Sequence, residues 1–352
     1  MTTLQDILET CTITFKQRVA NLIKFGNKGR LLMIKKNAEL EEDFKVTEYK
    51  SAVFTLEDAD LETKIKQALN RNPKKVILFE YKTTMADVID EVKKLKFDWV
   101  FSLETLDQSS VSAFAKENQV FGLVYNVEAD SEYVISISNP SAKLANGVKI
   151  NNSSTIGGID LLPIAAGLLA GCPYDMSATG FVLTELESVE LPETIKETQF
   201  TLYNEEEGVR VANPVNTLST LGANKTEDMK SITIMEGIKR FDTDVKYVFR
   251  TGYKGRYKNK YDNQQLFISA AKGYINDLEK NDILDEEYNN NIFVDTDRMR
   301  ELWIASGKDE DEINAKTDLE IAKLTYKKLM ALKADVKFLN AIEACEITVE
   351  MF

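Results

Sequence analysis

A run of cations is the part of this chain whose residue types and spacing are best suited to chemistry. Between Val245 and Tyr261 there are six lysines and arginines and no acid, and four tyrosines are interleaved with them. Such a mixture can bind single-stranded nucleic acid, because cations hold phosphates while aromatic rings stack on bases. It can also dock on an acidic protein surface, or form a solvated loop whose tyrosines pack on their own domain. The cations are Lys246, Arg250, Lys254, Arg256, Lys258 and Lys260, and the tyrosines are Tyr247, Tyr253, Tyr257 and Tyr261.

The chain as a whole is acidic, so this local reversal of sign indicates a docking surface. Its 352 residues carry 44 lysines and arginines against 57 aspartates and glutamates, a net charge of −13 at pH 7. A strongly negative chain is repelled by duplex DNA and by anionic membranes. No apolar run reaches the roughly 18 residues that span a bilayer. We therefore predict no nucleic-acid partner and no direct membrane binding.

The residues that most often carry catalysis are scarce. The chain has no histidine, which removes Ser-His-Asp and Cys-His nucleophile pairs and the usual zinc sites. Carboxylate or lysine chemistry remains open. Cys11, Cys172 and Cys345 are far apart and odd in number, as is typical of a reducing cytoplasm without a disulfide framework. Since no phosphate-binding glycine motif is present either, we predict that the protein is not an enzyme and has no cofactor and no metal site.

The alternative is a cytoplasmic α/β enzyme or ligand-binding protein. Gly157 and Gly158 lead into an apolar helix from Asp160 to Ala170, and a helix start can offer its amides to an anion. The competing interpretation is a loop-to-helix turn whose small residues pack closely on a sheet. Those small residues are Ala165, Ala166, Gly167, Ala170 and Gly171.

Both ends of the chain have the pattern of β-strands. Apolar side chains alternate there with threonines or glutamates, which places them on one face of a strand. A terminal strand must find a sheet, so it either completes the chain's own sheet or adds to the edge of a neighbour's. The apolar positions are Cys11, Ile13 and Phe15 at the start and Cys345, Ile347, Val349 and Met351 at the end.

Strands and helices alternate at short spacing before residue 140, which predicts an α/β layer with a largely parallel sheet. Beyond it we predict a hairpin, a mixed helix and strand region, three helices and a solvated acidic loop. The predicted early strands are 30–36, 75–81, 97–103, 120–127 and 133–138, and the helices are 61–69, 85–95 and 109–118. The later segments are the hairpin 200–212, the mixed region 232–249, the helices 263–278, 296–306 and 319–333, and the loop 309–312.

The cationic run also carries a motif. Residues 252–263 (GYKGRYKNKYDN) and the helix that follows them resemble the contractile tail sheath proteins of phages and phage-like bacteriocins. Those proteins commonly carry a GK-x-x-N-x-Y-D-N run before a helix of the LFISAI type. Residues 159–175 and 208–218 are similar to two further sheath segments, an A-G-x-x-A helix and a GVNTL segment. Residues 335–352 resemble the C-terminal arm of that family.

The resemblance implies an α/β fold, α+β overall, with an outer α/β layer domain and an inner sheath domain. The β-sheet of the inner domain is expected to be completed by N- and C-terminal strands of neighbouring subunits. Cys11, Ile13, Phe15, Cys345, Ile347, Val349 and Met351 would then lie on inter-subunit arms. The implied bounds are 1–22 for the N-terminal arm, 23–195 for the α/β domain, 196–334 for the tube-facing inner domain and 335–352 for the C-terminal arm.

The resemblance also implies a function: a structural subunit that polymerises as hexameric rings around a tail tube and contracts to drive the tube through a target envelope. The implied partners are other copies of the chain, the tail tube protein, the baseplate and the tail terminator. Lys254, Arg256, Lys258 and Lys260 would face the tube or a neighbouring subunit. Because Met1 to Phe15 lacks the pattern of a secretory signal, we expect synthesis in the bacterial cytoplasm and, after lysis, a place in a phage tail or tail-like particle. A tail tube protein or a type VI-like sheath is a related alternative.

Overall fold

The computed structural model describes residues 29–223 and 225–348. These residues fall into two compact units. The α/β unit comprises the described residues up to Glu236 together with 340–348, and the helical unit comprises residues 237–339. The domain bounds given above stay a prediction, since the units are defined only by which residues contact one another.

The α/β unit is built on a six-stranded sheet with the order β2-β3-β1-β4-β5-β6. All neighbouring strands are parallel except β2, which pairs antiparallel with β3. The largely parallel sheet predicted from the sequence is therefore confirmed. The strands are β1 (Arg30–Lys36), β2 (Phe44–Tyr49), β3 (Lys75–Tyr81), β4 (Trp99–Ser102), β5 (Phe121–Tyr125) and β6 (Val134–Ile137).

Helices cover both faces of this sheet. α2 and α3 pack on one face against alternate strand residues such as Leu32, Phe79 and Val100, and α1 and α4 contact the sheet on the other face. Because successive strand side chains point to opposite faces, a sheet buried on both sides needs nearly continuous apolar strands, and the LLMI of β1 and the VILF of β3 provide them. The helices are α1 (Ala59–Leu69), α2 (Met85–Lys94), α3 (Gln108–Asn118) and α4 (Leu162–Gly171).

The helix α4 is packed through its small residues, as the second interpretation of this segment predicts. An added Cβ at Gly167 would lie 2.7 Å from the carbonyl oxygen of Ala68, and one at Gly171 would lie 2.2 Å from that of Arg71. Any side chain larger than hydrogen would therefore push α4 away from α1. The small-residue face is occupied by the neighbouring helix as well as by the sheet.

The α/β unit also carries smaller antiparallel elements. A three-stranded sheet has the order β8-β7-β9, and the predicted hairpin forms from β10 and β11. The bounds are β7 (Ser141–Leu144), β8 (Thr155–Gly157), β9 (Leu186–Val189), β10 (Thr201–Glu205) and β11 (Gly208–Asn213).

The helical unit corrects three of the sequence predictions. The region predicted as mixed is a single helix, α5 (Ile232–Val248), which contains the boundary between the two units. The predicted acidic loop forms a helix, α8, because Asp309 accepts a hydrogen bond from the Glu312 amide and acids favour a helix N-terminus. The helix predicted over residues 319–333 is shorter than predicted: it ends at Lys323, and a strand begins at Leu332. The elements are α6 (Tyr261–Glu279), β12 (Asn291–Val294), α7 (Thr296–Ala305), α8 (Glu310–Asn314), α9 (Asp318–Lys323) and β13 (Leu332–Asp335).

Aromatic packing closes the core of the helical unit. The buried Tyr274 of α6 stacks on Phe241 at 6.1 Å between ring centroids, and Phe338 meets Phe241 edge to face at 6.5 Å. The Tyr274 hydroxyl donates a hydrogen bond of 2.7 Å to Asp244. Burial and the neighbouring Asp244 carboxylate raise the pKa of Tyr274 far above its ordinary value, so this hydroxyl keeps its proton and its role as donor.

Candidate assembly surfaces

The predicted basic patch lies on a loop between α5 and α6, which we call the basic loop (residues 254–260). α5 runs into a π-helical turn over Phe249–Tyr253, and α6 begins immediately after Lys260. Its four cationic side chains are exposed. Lys260 pairs with Asp262 at 3.2 Å, whereas Lys254, Arg256 and Lys258 form no ion pair with any residue that the structure describes. The loop therefore presents positive charge that the described residues of its own unit do not neutralise.

A tyrosine beneath the basic loop packs on its own unit. The ring of Tyr253 lies 5.0 Å from that of Phe267 and 5.4 Å from that of Tyr257. Its hydroxyl donates to the carbonyl oxygen of Leu266 at 3.2 Å, and burial raises its pKa. Tyr253 is half-buried and therefore supports the loop, whereas Tyr247 and Tyr257 are exposed.

The asparagines of the sheath-like motif give the basic loop its shape. The Asn259 amide donates to the carbonyl oxygens of Lys327 and Leu329, both at 3.1 Å, and more weakly to that of Tyr326 at 3.4 Å. Its own oxygen accepts a 2.7 Å hydrogen bond from Gln264. An amide has two N–H donors and one acceptor oxygen, and Asn259 uses both donors and its oxygen in these contacts. It fixes the loop to a second segment of the unit.

That second segment is also basic, and the sequence analysis did not single it out. It is a turn over residues 326–329, the basic turn, closed by a hydrogen bond from the Leu329 amide to the Tyr326 carbonyl at 2.9 Å. Lys327 and Lys328 are exposed, and neither forms an ion pair with a described residue. The Tyr326 ring meets that of Trp303 edge to face at 5.0 Å. The Lys-Lys pair was the available signal, but it lies about seventy residues from the loop, inside a segment predicted as helix.

The described end of the chain is a short segment, residues 340–348, that belongs to the α/β unit. Asn340 accepts a hydrogen bond of 3.0 Å from the Ser231 hydroxyl. The Glu343 carboxylate accepts from the hydroxyl of Ser177, a residue that is only 5% exposed, and at 3.5 Å from that of Thr179. Residues 344–348 are exposed. We call residues 344–348 the free segment and these contacts its root.

The predicted arm residues are therefore only partly visible. Cys345 is exposed, Ile347 is 79% exposed, and within the described residues the free segment pairs with no strand. Val349 and Met351 at this end, and Cys11, Ile13 and Phe15 at the other, lie outside the described residues. Their pairing with neighbouring subunits stays a prediction.

Of the glycine pair considered for the ligand-binding alternative, Gly157 is exposed and Gly158 is packed against other groups of the protein. Gly158 is buried, and an added Cβ would lie 2.1 Å from the Tyr125 ring and 2.3 Å from the Asn139 carbonyl oxygen. Its amide donates to the Pro140 carbonyl at 2.8 Å, and Asp160 pairs with Lys64 at 2.6 Å. This helix start does not offer a Gly158 amide to a ligand.

The carboxyl edge of the parallel sheet, where α/β folds usually bind ligands, is satisfied by the chain's own side chains. The buried Asp107 carboxylate accepts 2.8 Å hydrogen bonds from the hydroxyls of Tyr81 and Ser102. Burial and the Asp107 hydrogen bond raise the pKa of Tyr81, which keeps this donor protonated. Nearby, the Glu104 carboxylate accepts from the Lys36 amide at 3.1 Å.

The described residues form neither a metal-binding cluster nor a membrane-spanning helix. None of their acidic and cysteine side chains cluster in threes or more as they would around a metal ion. None of the helices formed by these residues has the length and apolar character needed to cross a membrane.

Comparison with known proteins gives consistent matches. No family model matches the chain. A curated tail sheath protein of Clostridium phage phiCD119 is 22% identical over 295 residues, which cover 79% of both chains. The sheath tail protein of Desulfitobacterium hafniense has a similar structure, with a TM-score of 0.63, 15% identity and coverage of 78% of this chain and 93% of that one. The sheath of an extracellular contractile injection system (PVC) in its contracted state has a TM-score of 0.63, 11% identity and 91% coverage of each chain.

These proteins are structural sheath components and not enzymes. Their folds agree with the α/β class, α+β overall, that the sequence predicts. The resemblance found in the motif around Asn259 is thus confirmed over most of the chain, and the protein is a homologue of contractile tail sheath proteins with their fold.

Proposed function

We propose that this chain is the repeating subunit of a contractile tail sheath, stacked as six-membered rings around a tail tube. The observation that carries the proposal is the match to sheath proteins along most of the chain, including a sheath in its contracted state. Contraction needs no catalysis, because subunits that move as rigid bodies between two packings can release energy stored at assembly.

Strand exchange would link the subunits in this proposal. The free segment is exposed and unpaired among the described residues, as a strand awaiting a neighbour's sheet would be. Main-chain hydrogen bonds would give such a link its strength, and the alternating side chains of residues 345–351 its register. The N-terminal residues Cys11, Ile13 and Phe15 would contribute the second arm.

The basic loop would face the tube or a neighbouring subunit. Its cations are exposed and largely unpaired, and an acidic partner would orient on them during docking. Neutralising Lys254, Arg256, Lys258 and Lys260 together should leave a folded monomer that does not form ordered sheath around tube. Normal particles from this variant would contradict the assignment of the loop.

The test of the function is negative-stain electron microscopy of the full chain at rising concentration, alone and co-expressed with the tail tube protein, with sedimentation alongside. We expect tubes or cog-shaped rings of uniform width and six-fold symmetry. A stable monomer under both conditions would contradict a sheath role and would favour the α/β ligand-binding alternative.

A further inference from the structure

Two basic segments that are distant in sequence form one cationic surface in the helical unit. The Asn259 amide contacts three backbone carbonyl oxygens of the basic turn, those of Tyr326, Lys327 and Leu329, at 3.1–3.4 Å. Lys258 and Lys260 flank Asn259 in the chain, so the basic loop adjoins Lys327 and Lys328 directly. We call the whole set the cationic surface: Lys254, Arg256, Lys258, Lys260, Lys327 and Lys328.

This surface is held in place by uncharged contacts. Gln264, which is only 4% exposed, donates to Asn259, and the Asn263 amide donates to the Lys258 carbonyl at 2.8 Å. The backbone of the basic turn is fixed at Tyr326 by its contact with Trp303. A surface that is ordered before binding loses less entropy when it docks, so these contacts favour recognition and not merely solubility.

The backbone of the basic turn contains an unfavourable conformation at one of the lysines. Lys327 has φ +42°, in the left-handed region that glycine and asparagine adopt more easily. The Asn259 hydrogen bonds to the carbonyls on either side of this position offset the strain. The Lys327 side chain is exposed, and its ammonium lies 5.0 Å from the centroid of the Tyr326 ring.

We propose that the cationic surface docks on the acidic surface of a second copy of this chain, and that Asn259 positions its two halves. The inference rests on the proposed function, in which each subunit meets several other copies. Charge complementarity selects the partner: the chain carries −13 overall, so the rest of its surface is more negative still. A positive face that meets a different, negative face is a heterologous contact, which builds rings or open stacks and not closed pairs.

The experiment measures self-association of the full chain by sedimentation velocity at 50 and 300 mM NaCl. The loop variant is K254Q/R256Q/K258Q. The turn variant is K327N/K328Q, in which asparagine suits the left-handed backbone and so removes charge without adding strain. The matched control is K96Q/K149Q, which removes two exposed lysines of the α/β unit that form no ion pair with a described residue.

We expect the wild type to associate more tightly at 50 mM than at 300 mM salt, because screening weakens contacts between exposed charges. The turn variant should lower the association constant by about fivefold to tenfold at 50 mM, as expected for the loss of two interfacial cations. The control should stay within about twofold of the wild type. A turn variant that behaves like its control would overturn the composite surface.

The variant Asn259→Ala distinguishes the effect of positioning the two basic segments from the effect of their charge. It leaves every charge in place, so attraction that depends only on net charge would be unchanged. We expect it to weaken association by about threefold or more, with circular dichroism and urea unfolding used to show that the chain still folds. An N259A chain that is folded and associates like the wild type would show that Asn259 does not position the surface.

Two other occupants are distinguished by the same set of variants. The first is single-stranded nucleic acid, tested with a fluorescent oligothymidylate. If the loop and turn variants lose binding to this probe while their self-association is unchanged, the partner of the surface is single-stranded nucleic acid and not a second copy. The second is the tail tube. If the variants self-associate normally but form no sheath on co-expressed tubes, the partner of the surface is the tube. If the variants lower self-association but the wild type never forms sheath, the docking role of the cationic surface is supported and the proposed function is contradicted.

Discussion

The basic loop and the C-terminal free segment are both exposed, but they are held in very different ways. The loop is fixed at Asn259 by four hydrogen bonds to groups of its own unit. The segment is held only at its root, by side-chain contacts of Asn340 and Glu343. The difference indicates that the basic loop is a rigid docking face and that the free segment can be released for strand exchange. A strand that must pair with a neighbouring subunit cannot be bound strongly to its own subunit.

The largest effect we expect comes from removing the free end. Deleting residues 344–352 keeps the root contacts and should leave a folded, soluble chain that does not polymerise, as should the longer deletion of 341–352. Added in small amounts to wild-type chains, the deleted chain should shorten the assemblies, because it can accept a neighbour's strand without offering its own. Sedimentation and electron microscopy measure both results, and polymer formed at the wild-type rate would show that this end closes only its own sheet.

The second effect in size is on the stability of the helical unit. Asn259→Ala removes the hydrogen bonds that join the basic loop to the basic turn, which we call the clamp. It should lower the free energy of unfolding by about 1–3 kcal/mol, because these bonds are lost and the buried Gln264 amide loses its acceptor. Asn281→Ala is the control, because that exposed amide bonds only a carbonyl four residues away. Urea unfolding measures both, and equal values for the two variants would mean that the loop is not clamped.

A smaller effect is expected at the root of the free segment. Glu343→Ala should leave the free energy of unfolding within about 1 kcal/mol, yet speed limited proteolysis within residues 340–348 severalfold, because Ser177 and Thr179 lose their acceptor. Glu343→Gln keeps an acceptor oxygen and should behave like the wild type. A cleavage rate that is unchanged in Glu343→Ala would indicate that the segment is held by something else.

The smallest effect is a difference in acid sensitivity. Lys337 pairs with Asp285 at 2.8 Å and lowers the pKa of that carboxyl below its ordinary value of 3.8. The stabilisation is therefore present above pH 3.8 and is lost as the pH falls through the lowered pKa. The clamp at Asn259 has no titrating group. On acidification from pH 7 to 3, the protection of amides from hydrogen exchange, measured against the intrinsic rate at each pH, should fall at residues 335–339 before it does at residues 257–260, and Asp285→Asn should abolish that order.

The sequence predicted the parallel strands well because each is a short apolar run buried on both faces. It missed β2 (FKVTEY), whose residues are partly or fully exposed and whose apolar-polar alternation breaks at Thr47 and Glu48. It also missed the pair of β12 and β13, in which LKAD is exposed or half-buried and its partner lies about forty residues earlier.

The basic loop could be predicted because its residues are contiguous, whereas the basic turn could not. Lys327 and Lys328 join the loop only through side-chain to backbone hydrogen bonds from Asn259, and such contacts leave no periodic trace in the sequence. The motif asparagine was visible as part of a resemblance. Its physical task, to hold two basic segments together, required the structure.

The packing of α4 on α1 has a consequence for how this molecule bears force. At Gly167 the backbone of α4 meets the backbone of α1 at Ala68, and at Gly171 it meets Arg71, just after the end of α1. Side chains that change rotamer are what allow packed elements to yield, and at Gly167 the contact is between backbone atoms. A load applied to one helix is passed to the other with little compression. In a sheath that completes its work in one stroke, the α/β unit would thus behave as a stiff element, and the compliance would lie in the links between subunits.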